Sequence, residues 1–229
     1  MNKVLFLDID GTITDESGYL TFSSIEKIRE LRRSHFIVIA CSANAYYTVR
    51  VLNRYFDIFD YIIAENGGVI DDGRSINILA NKQIAIKALN AIKQNFPQII
   101  EHWSNPMRLS DQALMRTNNS DLINNIKDFL LSNPELDVKI LDTGYSLVIN
   151  QRHVSKALAA KLLLEKLDLE NCKSYAIGDS EVDIDIFDFV DFPIALSNSH
   201  KSLKEKAKLV SKEGYYRGFL EIAKRLIEM

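Results

Sequence analysis

Two carboxylates, Asp8 and Asp10, stand two residues apart where the apolar run Val4–Leu7 ends. Side chains two residues apart on a strand point to the same side, so both acids face one site. Gly11 follows directly and lets the chain turn away sharply. Asp and Gly are also common turn residues, so the motif alone fits either a plain turn or a metal or catalytic site.

A second acidic cluster, from Asp179 to Asp183, follows the apolar run Tyr175–Ile177. Taken by itself it fits a helix start, because Ser180 and Asp183 have the spacing of a capping box. Both acidic clusters follow an apolar run, however, and converging carboxylates repel one another unless a cation lies among them. Mg2+ prefers a few carboxylates together with water and substrate oxygens. The two clusters together therefore predict a magnesium site.

Ser42 and Lys156 are candidates for holding a phosphate group. Ser42 lies between the apolar run Phe36–Cys41 and a helical pattern, where its hydroxyl and nearby N–H groups can bind a phosphate oxygen. The alternative is an ordinary helix N-cap. Lys156 begins a later helical pattern, where it either offsets phosphate charge or is a solvated surface lysine.

The pattern of apolar runs predicts how these residues are positioned. Continuous short runs suit strands that are covered on both faces of a parallel sheet, and here they alternate with amphipathic helical patterns. This alternation predicts an α/β fold with a doubly wound parallel sheet, in which ligands bind beyond the carboxyl ends of the strands. The predicted strands are Val4–Leu7, Phe36–Ala40, Tyr61–Ala64, Tyr175–Ile177 and Pro193–Leu196, and the predicted helices include Phe22–Arg33, Ala45–Phe56 and Tyr215–Ile227.

The middle of the chain has a different pattern. Val138–Leu141 and Ser146–Asn150 flank a turn sequence and predict a hairpin, which belongs to antiparallel sheet. We therefore expect an inserted α+β cap domain at residues 80–152 and a core formed by residues 1–79 and 153–229. The other predicted elements of the cap are the helices Lys82–Phe96 and Leu122–Leu131 and the strand Ala113–Arg116.

The bulk properties exclude some classes of partner. The chain has 229 residues and a net charge of −3, so it offers no broadly basic surface for a nucleic-acid backbone. Its apolar stretches are all much shorter than the roughly 20 residues that cross a bilayer. Cys41 and Cys172 each stand beside an apolar run, which favours core positions over a disulfide. We expect a cytoplasmic protein; the sequence does not give the oligomeric state and leaves a homodimer open.

Taken in order, these motifs resemble the four motifs of the haloacid dehalogenase (HAD) superfamily. The stretch from Asp8 to Thr12 is similar to the first motif, Cys41-Ser42-Ala43-Asn44 to the second, Lys156 to the third, and Gly178 through Asp183 to the fourth. The resemblance spans almost the whole chain. The position of the inserted block, and the segment Glu65-Asn66-Gly67-Gly68 before it, resemble the C2-capped subgroup.

The resemblance implies a Mg2+-dependent phosphatase. It makes Asp8 the nucleophile and Asp10 the general acid and base. It assigns Mg2+ to the Asp8 carboxylate, the Asp10 backbone carbonyl and Asp179, with Asp183 close by. Phosphate binding is implied for Ser42, Ala43 and Lys156.

Two positions depart from the pattern of the superfamily. Val182 stands where Asn is common, and Ala43 stands where Gly is usual. The Ala43 change is mild unless the backbone there needs a positive φ.

Length, cap size and motif spelling are most similar to archaeal-type phosphoglycolate phosphatases, which implies a small phosphate ester as substrate. Arg108 either grips a substrate carboxylate or is an ordinary exposed arginine, and Arg116 is a weaker candidate. Asn66 is a further candidate for substrate selection, whereas His102 and Trp103 contact the ligand or belong to the cap core. The alternatives are a sugar-phosphate phosphatase, a phosphomannomutase-like phosphotransferase, or a non-catalytic regulator that binds phosphometabolites.

Overall fold

The structure is a computed structural model that describes residues 3–228, so the outermost residues of the predicted core, Met1, Asn2 and Met229, lie outside the described residues. Within this range the chain forms a larger and a smaller sheet with helices around them. The strands are β1 (Lys3–Leu7), β2 (Phe36–Cys41), β3 (Tyr61–Ala64), β4 (Val69–Asp71), β5 (Ile76–Ile78), β6 (Gln112–Met115), β7 (Val138–Asp142), β8 (Ser146–Gln151), β9 (Lys173–Gly178), β10 (Phe192–Ala195) and β11 (Leu209–Val210). The helices are α1 (Phe22–Arg33), α2 (Tyr46–Phe56), α3 (Lys82–Asn95), α4 (Ser120–Ser132), α5 (Lys156–Lys166), α6 (Ile184–Phe189), α7 (Lys201–Lys206) and α8 (Tyr215–Glu228).

The larger sheet has the strand order β11-β10-β9-β1-β2-β3-β4-β5. Its strands run parallel from β11 to β3, whereas β4 and β5 join as antiparallel neighbours. The α/β fold class predicted from the sequence is confirmed. The antiparallel pair at the edge was not predicted, because each of its strands has only three residues.

Apolar side chains on both faces of β1 explain why this strand lies at the centre. Leu5 and Leu7 belong to a buried cluster that also includes residues of α1, α2 and α8. Val4 and Phe6 point the other way into a cluster with residues of α5 and α6. Because successive side chains of a strand alternate between faces, a continuous apolar run fills both clusters.

The smaller sheet is antiparallel, with the order β6-β8-β7. Together with α3 and α4 it encloses a third buried cluster, whose fully buried members all lie between Ala85 and Ile149. The hairpin predicted from the turn sequence is formed by β7 and β8. No helix within residues 3–228 is both long and apolar enough to cross a membrane.

Candidate active site

Three neighbouring strands of the larger sheet end at the same edge and deliver the predicted site residues there. Asp179 directly follows β9, Asp8 follows β1 and Ser42 follows β2. The sheet hydrogen bonding continues one residue past β1, since the Asp8 N–H donates to the carbonyl of Ile177 at 3.0 Å. Parallel strands in central positions thus bring together residues that are far apart in the sequence.

Carboxylates of Asp8, Asp179 and Asp183 form a compact cluster, in which one oxygen from each lies within 4.8 Å of the others. Lys156 Nζ donates to Asp8 Oδ1 at 3.1 Å and to Asp183 Oδ1 at 2.5 Å. Lys156 is only 1% exposed, so it is not the solvated surface lysine considered as the alternative.

The electrostatics of this cluster show an excess of negative charge. Burial raises the pKa of Asp179 to about 9, and the charges of Asp8 and Asp183 add to the effect. Burial also raises the pKa of Asp8 to about 7, although Lys156 opposes it. Burial alone would lower the pKa of Lys156, but the charges of Asp183 and Asp8 reverse this and keep its pKa well above the usual value. One lysine thus does not neutralise the buried carboxylates around it.

The donor set and the space around it fit Mg2+. The clustered ligand atoms are carboxylate oxygens, which hard divalent cations prefer, and softer ligands such as thiolates are not among them. Gly11 borders the cluster with a φ of 77°, and a Cβ at this position would lie 2.1 Å from Asp179 Oδ2. A glycine is therefore needed for Asp179 to approach the first acidic motif.

The Asp10 carboxylate is not one of the three clustered carboxylates, although it lines the same cavity as Asp8. Its Oδ2 accepts a hydrogen bond from Asn44 Nδ2 at 2.6 Å. Burial raises the pKa of Asp10, opposed by the Asn44 hydrogen bond and by Lys156. The predicted metal contact of Asp10 through its backbone carbonyl stays a prediction. The role of Asn44 was missed, although its place two residues after Ser42, at the same strand end, was a usable signal.

Ser42 and Ala43 lie on the loop that links β2 to α2. Ser42 is buried, and its Oγ accepts the Asn44 N–H at 3.1 Å. The N-cap of α2 is Ala45, so the alternative in which Ser42 caps this helix is wrong. Ala43 does not have a positive φ, and the usual glycine is therefore not required by the backbone there.

A cavity of about 130 Å³ lies against Asp8 and Asp10 and is closed on the other side by residues of the segment 102–108 and of the β7–β8 hairpin. Arg108 lines it while being only 3% exposed, so it is not an ordinary exposed arginine. Its guanidinium donates to Asp111 Oδ1 at 2.7 Å and to Ser104 Oγ at 2.9 Å.

Asp111, the buried partner of Arg108, has a raised pKa. Burial raises the pKa of Asp111 to about 7, although the Arg108 charge opposes the shift. The second carboxylate oxygen of Asp111 is buried without a hydrogen-bond partner among the described residues. The remaining contacts of Arg108, to the Ala43 carbonyl, are long, at 3.4 and 3.5 Å. Part of its hydrogen-bonding capacity is therefore free to meet a ligand.

The remaining candidates differ in how they lie relative to the cavity of Asp8. Asn66 is buried in a neighbouring cavity of about 340 Å³ beside Lys156, and Val182 borders both cavities. Trp103 lines the cavity of Asp8 and is 68% exposed, so it is not the buried core residue considered as the alternative. Arg116 pairs with Asp142 at 3.0 Å, outside the cavity of Asp8.

Asp183 serves two purposes that sequence analysis treated as alternatives. Its Oδ2 accepts the N–H groups of Asp179 and Ser180, and a capping box with Ser180 is formed. Its Oδ1 at the same time accepts the hydrogen bond from Lys156. The capping geometry therefore aims the carboxylate into the site.

A family model described as haloacid dehalogenase-like hydrolase matches residues 5–105 and 98–221 of the chain. The chain belongs to this family. The resemblance read from the four motifs is thereby confirmed, and so is the prediction of a phosphatase-type enzyme of the HAD superfamily.

Two curated relatives of this HAD hydrolase are named phosphoglycolate phosphatase. The protein of Methanothrix thermoacetophila is 31% identical over 97% of this chain and 96% of its own length. That of Archaeoglobus fulgidus is also 31% identical, over 91% of this chain and 90% of its own.

Solved structures share the fold. A Thermoplasma acidophilum crystal structure matches with a TM-score of 0.89 and 23% identity over all of both chains. A subclass IIB sugar phosphatase matches with a TM-score of 0.75 and 15% identity, over 98% of this chain and 99% of its own. At these identities, the likeness establishes the fold alone.

Proposed function

We propose that this HAD hydrolase is a Mg2+-dependent phosphomonoesterase that works through an aspartyl-phosphate on Asp8, and that its substrate is 2-phosphoglycolate. The observation that carries the reaction is the placement of Asp8, which belongs to the carboxylate cluster and lines a small cavity, with its Oδ1 at 3.1 Å from Lys156 Nζ. Relatives named phosphoglycolate phosphatase, among them the two described above, support the substrate.

In the first half of the reaction, the ionised Asp8 carboxylate attacks phosphorus and the bond to the leaving oxygen breaks. Asp10 donates its proton to that oxygen, and the raised pKa that burial gives Asp10 favours a protonated acid. In the second half, Asp10 takes a proton from water, which attacks the phosphorus of the acyl phosphate and regenerates Asp8.

In this proposal, Lys156 and Ser42 balance the negative charge on the transferred phosphoryl group. Lys156 holds a positive charge beside Asp8. In this proposal the hydroxyl of the buried Ser42 donates to a phosphoryl oxygen. Asp8, Asp179 and the Asp10 carbonyl would hold Mg2+, with Asp183 supporting them. Bound Mg2+ supplies the positive charge that lets the anionic nucleophile approach an anionic ester.

We propose that Arg108 recognises the leaving group of the ester. A substrate carboxylate in the small cavity meets a guanidinium that already has a buried counter-ion, so binding orients the ester more than it neutralises charge. We further propose that residues 80–152 are the cap that carries this arginine, since the third buried cluster draws its fully buried members from that segment. Asn66, in the neighbouring cavity, remains a candidate for substrate selection. The cytoplasmic location stays a prediction, as does the possibility of a homodimer.

The test is a panel of small phosphate esters assayed with Mg2+ and with EDTA. We expect release of inorganic phosphate, fastest from 2-phosphoglycolate, and none in EDTA. A preference for sugar phosphates would overturn the substrate, and isomerisation of a phosphosugar without phosphate release would indicate a phosphotransferase. Equal behaviour of wild type and Asp8→Asn would leave only the non-catalytic regulator.

A further inference from the structure

Glu65 is a buried acid that the proposed reaction does not use. Its side chain is 0% exposed and does not line the cavity of Asp8. Within residues 3–228 no basic side chain forms a salt bridge with it. A carboxylate in such surroundings is costly unless hydrogen-bond donors surround it, so its partners indicate what it is for.

The donors to Glu65 come from both sides of the site. On the core side, the N–H of Tyr46, the first residue of α2, donates to Oε1 at 3.0 Å. From the segment between α3 and β6, the Leu109 N–H donates to both oxygens at 3.0 Å. The N–H and the hydroxyl of Ser110 each donate to Oε2 at 2.7 Å. One carboxylate thus fastens the segment after Arg108 to the core.

The segment around Glu65 is shaped for this contact. Gly68 has no side chain, and a Cβ there would lie 2.0 Å from Ser110 Oγ, so any other residue would displace Ser110. Glu65 itself has a φ of 53°, a left-handed conformation that is rare for residues other than glycine. Strained conformations of this kind persist where surrounding contacts hold them, and they cluster at functional sites.

The same residue also contacts the group that holds Asp10. The Glu65 N–H donates to the carbonyl of Asn44 at 3.0 Å, and the Asn44 side chain holds the Asp10 carboxylate. Glu65 therefore lies between the proposed general acid and the segment that carries Arg108.

We propose that Glu65 is a positioning residue, which docks residues 108–111 onto the core and so holds Arg108 in the cavity for the carboxylate of the substrate. This inference rests on the proposed function of Arg108. It requires that loss of the Glu65 hydrogen bonds slows the hydrolysis of esters with a carboxylate more than the hydrolysis of esters without one.

The experiment compares wild type, Glu65→Gln and the milder Ser110→Ala, with 2-phosphoglycolate and with p-nitrophenyl phosphate, which has no carboxylate. In Glu65→Gln the side-chain NH2 group meets backbone N–H groups, so at least one of the bonds is lost without a change in size. We expect KM for 2-phosphoglycolate to rise by about tenfold or more in Glu65→Gln and less in Ser110→Ala. With p-nitrophenyl phosphate, kcat should stay within about twofold of wild type.

The matched control is Asp60→Asn. Asp60 also accepts a backbone N–H, that of Val38 at 2.8 Å, and it pairs with Arg32; it lies just before β3, at the opposite end of the sheet. We expect this variant to keep the wild-type ratio of the two substrates. Hydrogen exchange supplies a second readout: the amides of Leu109 and Ser110 should exchange faster in Glu65→Gln than in wild type or in the control.

The outcomes separate the two proposals. If wild type does not prefer 2-phosphoglycolate, the proposed substrate fails, and amide exchange alone then decides whether Glu65 docks the segment. If wild type prefers it and Glu65→Gln changes both substrates equally, Glu65 is merely structural and the inference is overturned. Unchanged exchange at Leu109 and Ser110 would also overturn it.

Discussion

Metal binding to this protein should expel protons, because two of the proposed ligands have raised pKa values in the metal-free state. The pKa of Asp179 is raised to about 9 and that of Asp8 to about 7 by burial and by neighbouring carboxylates. At pH 7 the metal-free carboxylate cluster therefore retains a proton, held mainly on Asp179. A cation binds only the ionised forms, so Mg2+ releases at least about one proton.

The same shift sets the size of the pH effect on affinity. One pKa unit corresponds to about 1.36 kcal/mol, so ionising Asp179 about two units below its pKa costs roughly 3 kcal/mol. The apparent affinity for Mg2+ at pH 7 should thus be about 100-fold weaker than above pH 9 on account of Asp179 alone. The sign follows from proton counts: the metal-free protein binds more protons than the metal-bound one, so raising the pH strengthens binding.

Isothermal titration calorimetry of Mg2+ in two buffers with different ionisation enthalpies measures the protons released. A series of titrations from pH 6.5 to 9 measures how steeply the affinity for Mg2+ rises with pH. The Asp60→Asn variant, changed at the other end of the sheet, should behave as wild type does. Binding without proton release, with an affinity that is flat across this range, would refute the account of a charge-crowded site.

Three substitutions test other parts of the site. Lys156→Met leaves the buried Asp8 and Asp183 without a positively charged partner, so urea unfolding in EDTA should show the free energy of unfolding reduced by about 3–5 kcal/mol. The same substitution should lower kcat at least about 100-fold. An unchanged unfolding midpoint would contradict the ion pairing. Arg108→Lys keeps the positive charge but loses the planar guanidinium that can bind both carboxylate oxygens. The value of kcat/KM for 2-phosphoglycolate should therefore fall about tenfold or more, while kcat/KM for p-nitrophenyl phosphate stays unchanged. Equal losses for the two substrates would argue against carboxylate binding by Arg108. Gly11→Ala places a Cβ 2.1 Å from Asp179 Oδ2, at a residue whose φ is 77°. Because Asp179 must then shift, calorimetry should show the affinity for Mg2+ reduced by at least about tenfold. An affinity equal to that of wild type would mean that Asp179 is not a ligand.

Local patterns predicted the elements of the core well. Helix Phe22–Arg33 and strand Tyr61–Ala64 are found with the predicted bounds. The helix was visible from apolar residues at helical spacing, and the strand from a short continuous apolar run. Strand β6 was predicted one residue late, at 113–116 instead of 112–115. The short helices α6 and α7 were not predicted, because six residues give too few turns for a period to be visible.

The sequence could indicate the acids of the site but not all the contacts that hold them. Motif order and strand ends placed Asp8, Asp179 and Ser42 at one edge, because parallel topology leaves little choice. The Glu65 contact to Ser110 spans 45 residues and has no periodic signal, so one sequence cannot reveal it. The burial of Arg108 likewise depends on Asp111 and Ser104, whose positions follow from the folded segment alone.

The central claim is that Asp8 forms a covalent bond to phosphorus. The most direct measurement is an acid quench of the enzyme during turnover of phosphate-labelled 2-phosphoglycolate, followed by mass spectrometry of the peptides. We predict phosphate on the peptide that contains Asp8, and neither label nor activity in Asp8→Asn. Label on another residue, or hydrolysis by Asp8→Asn at the wild-type rate, would contradict the account.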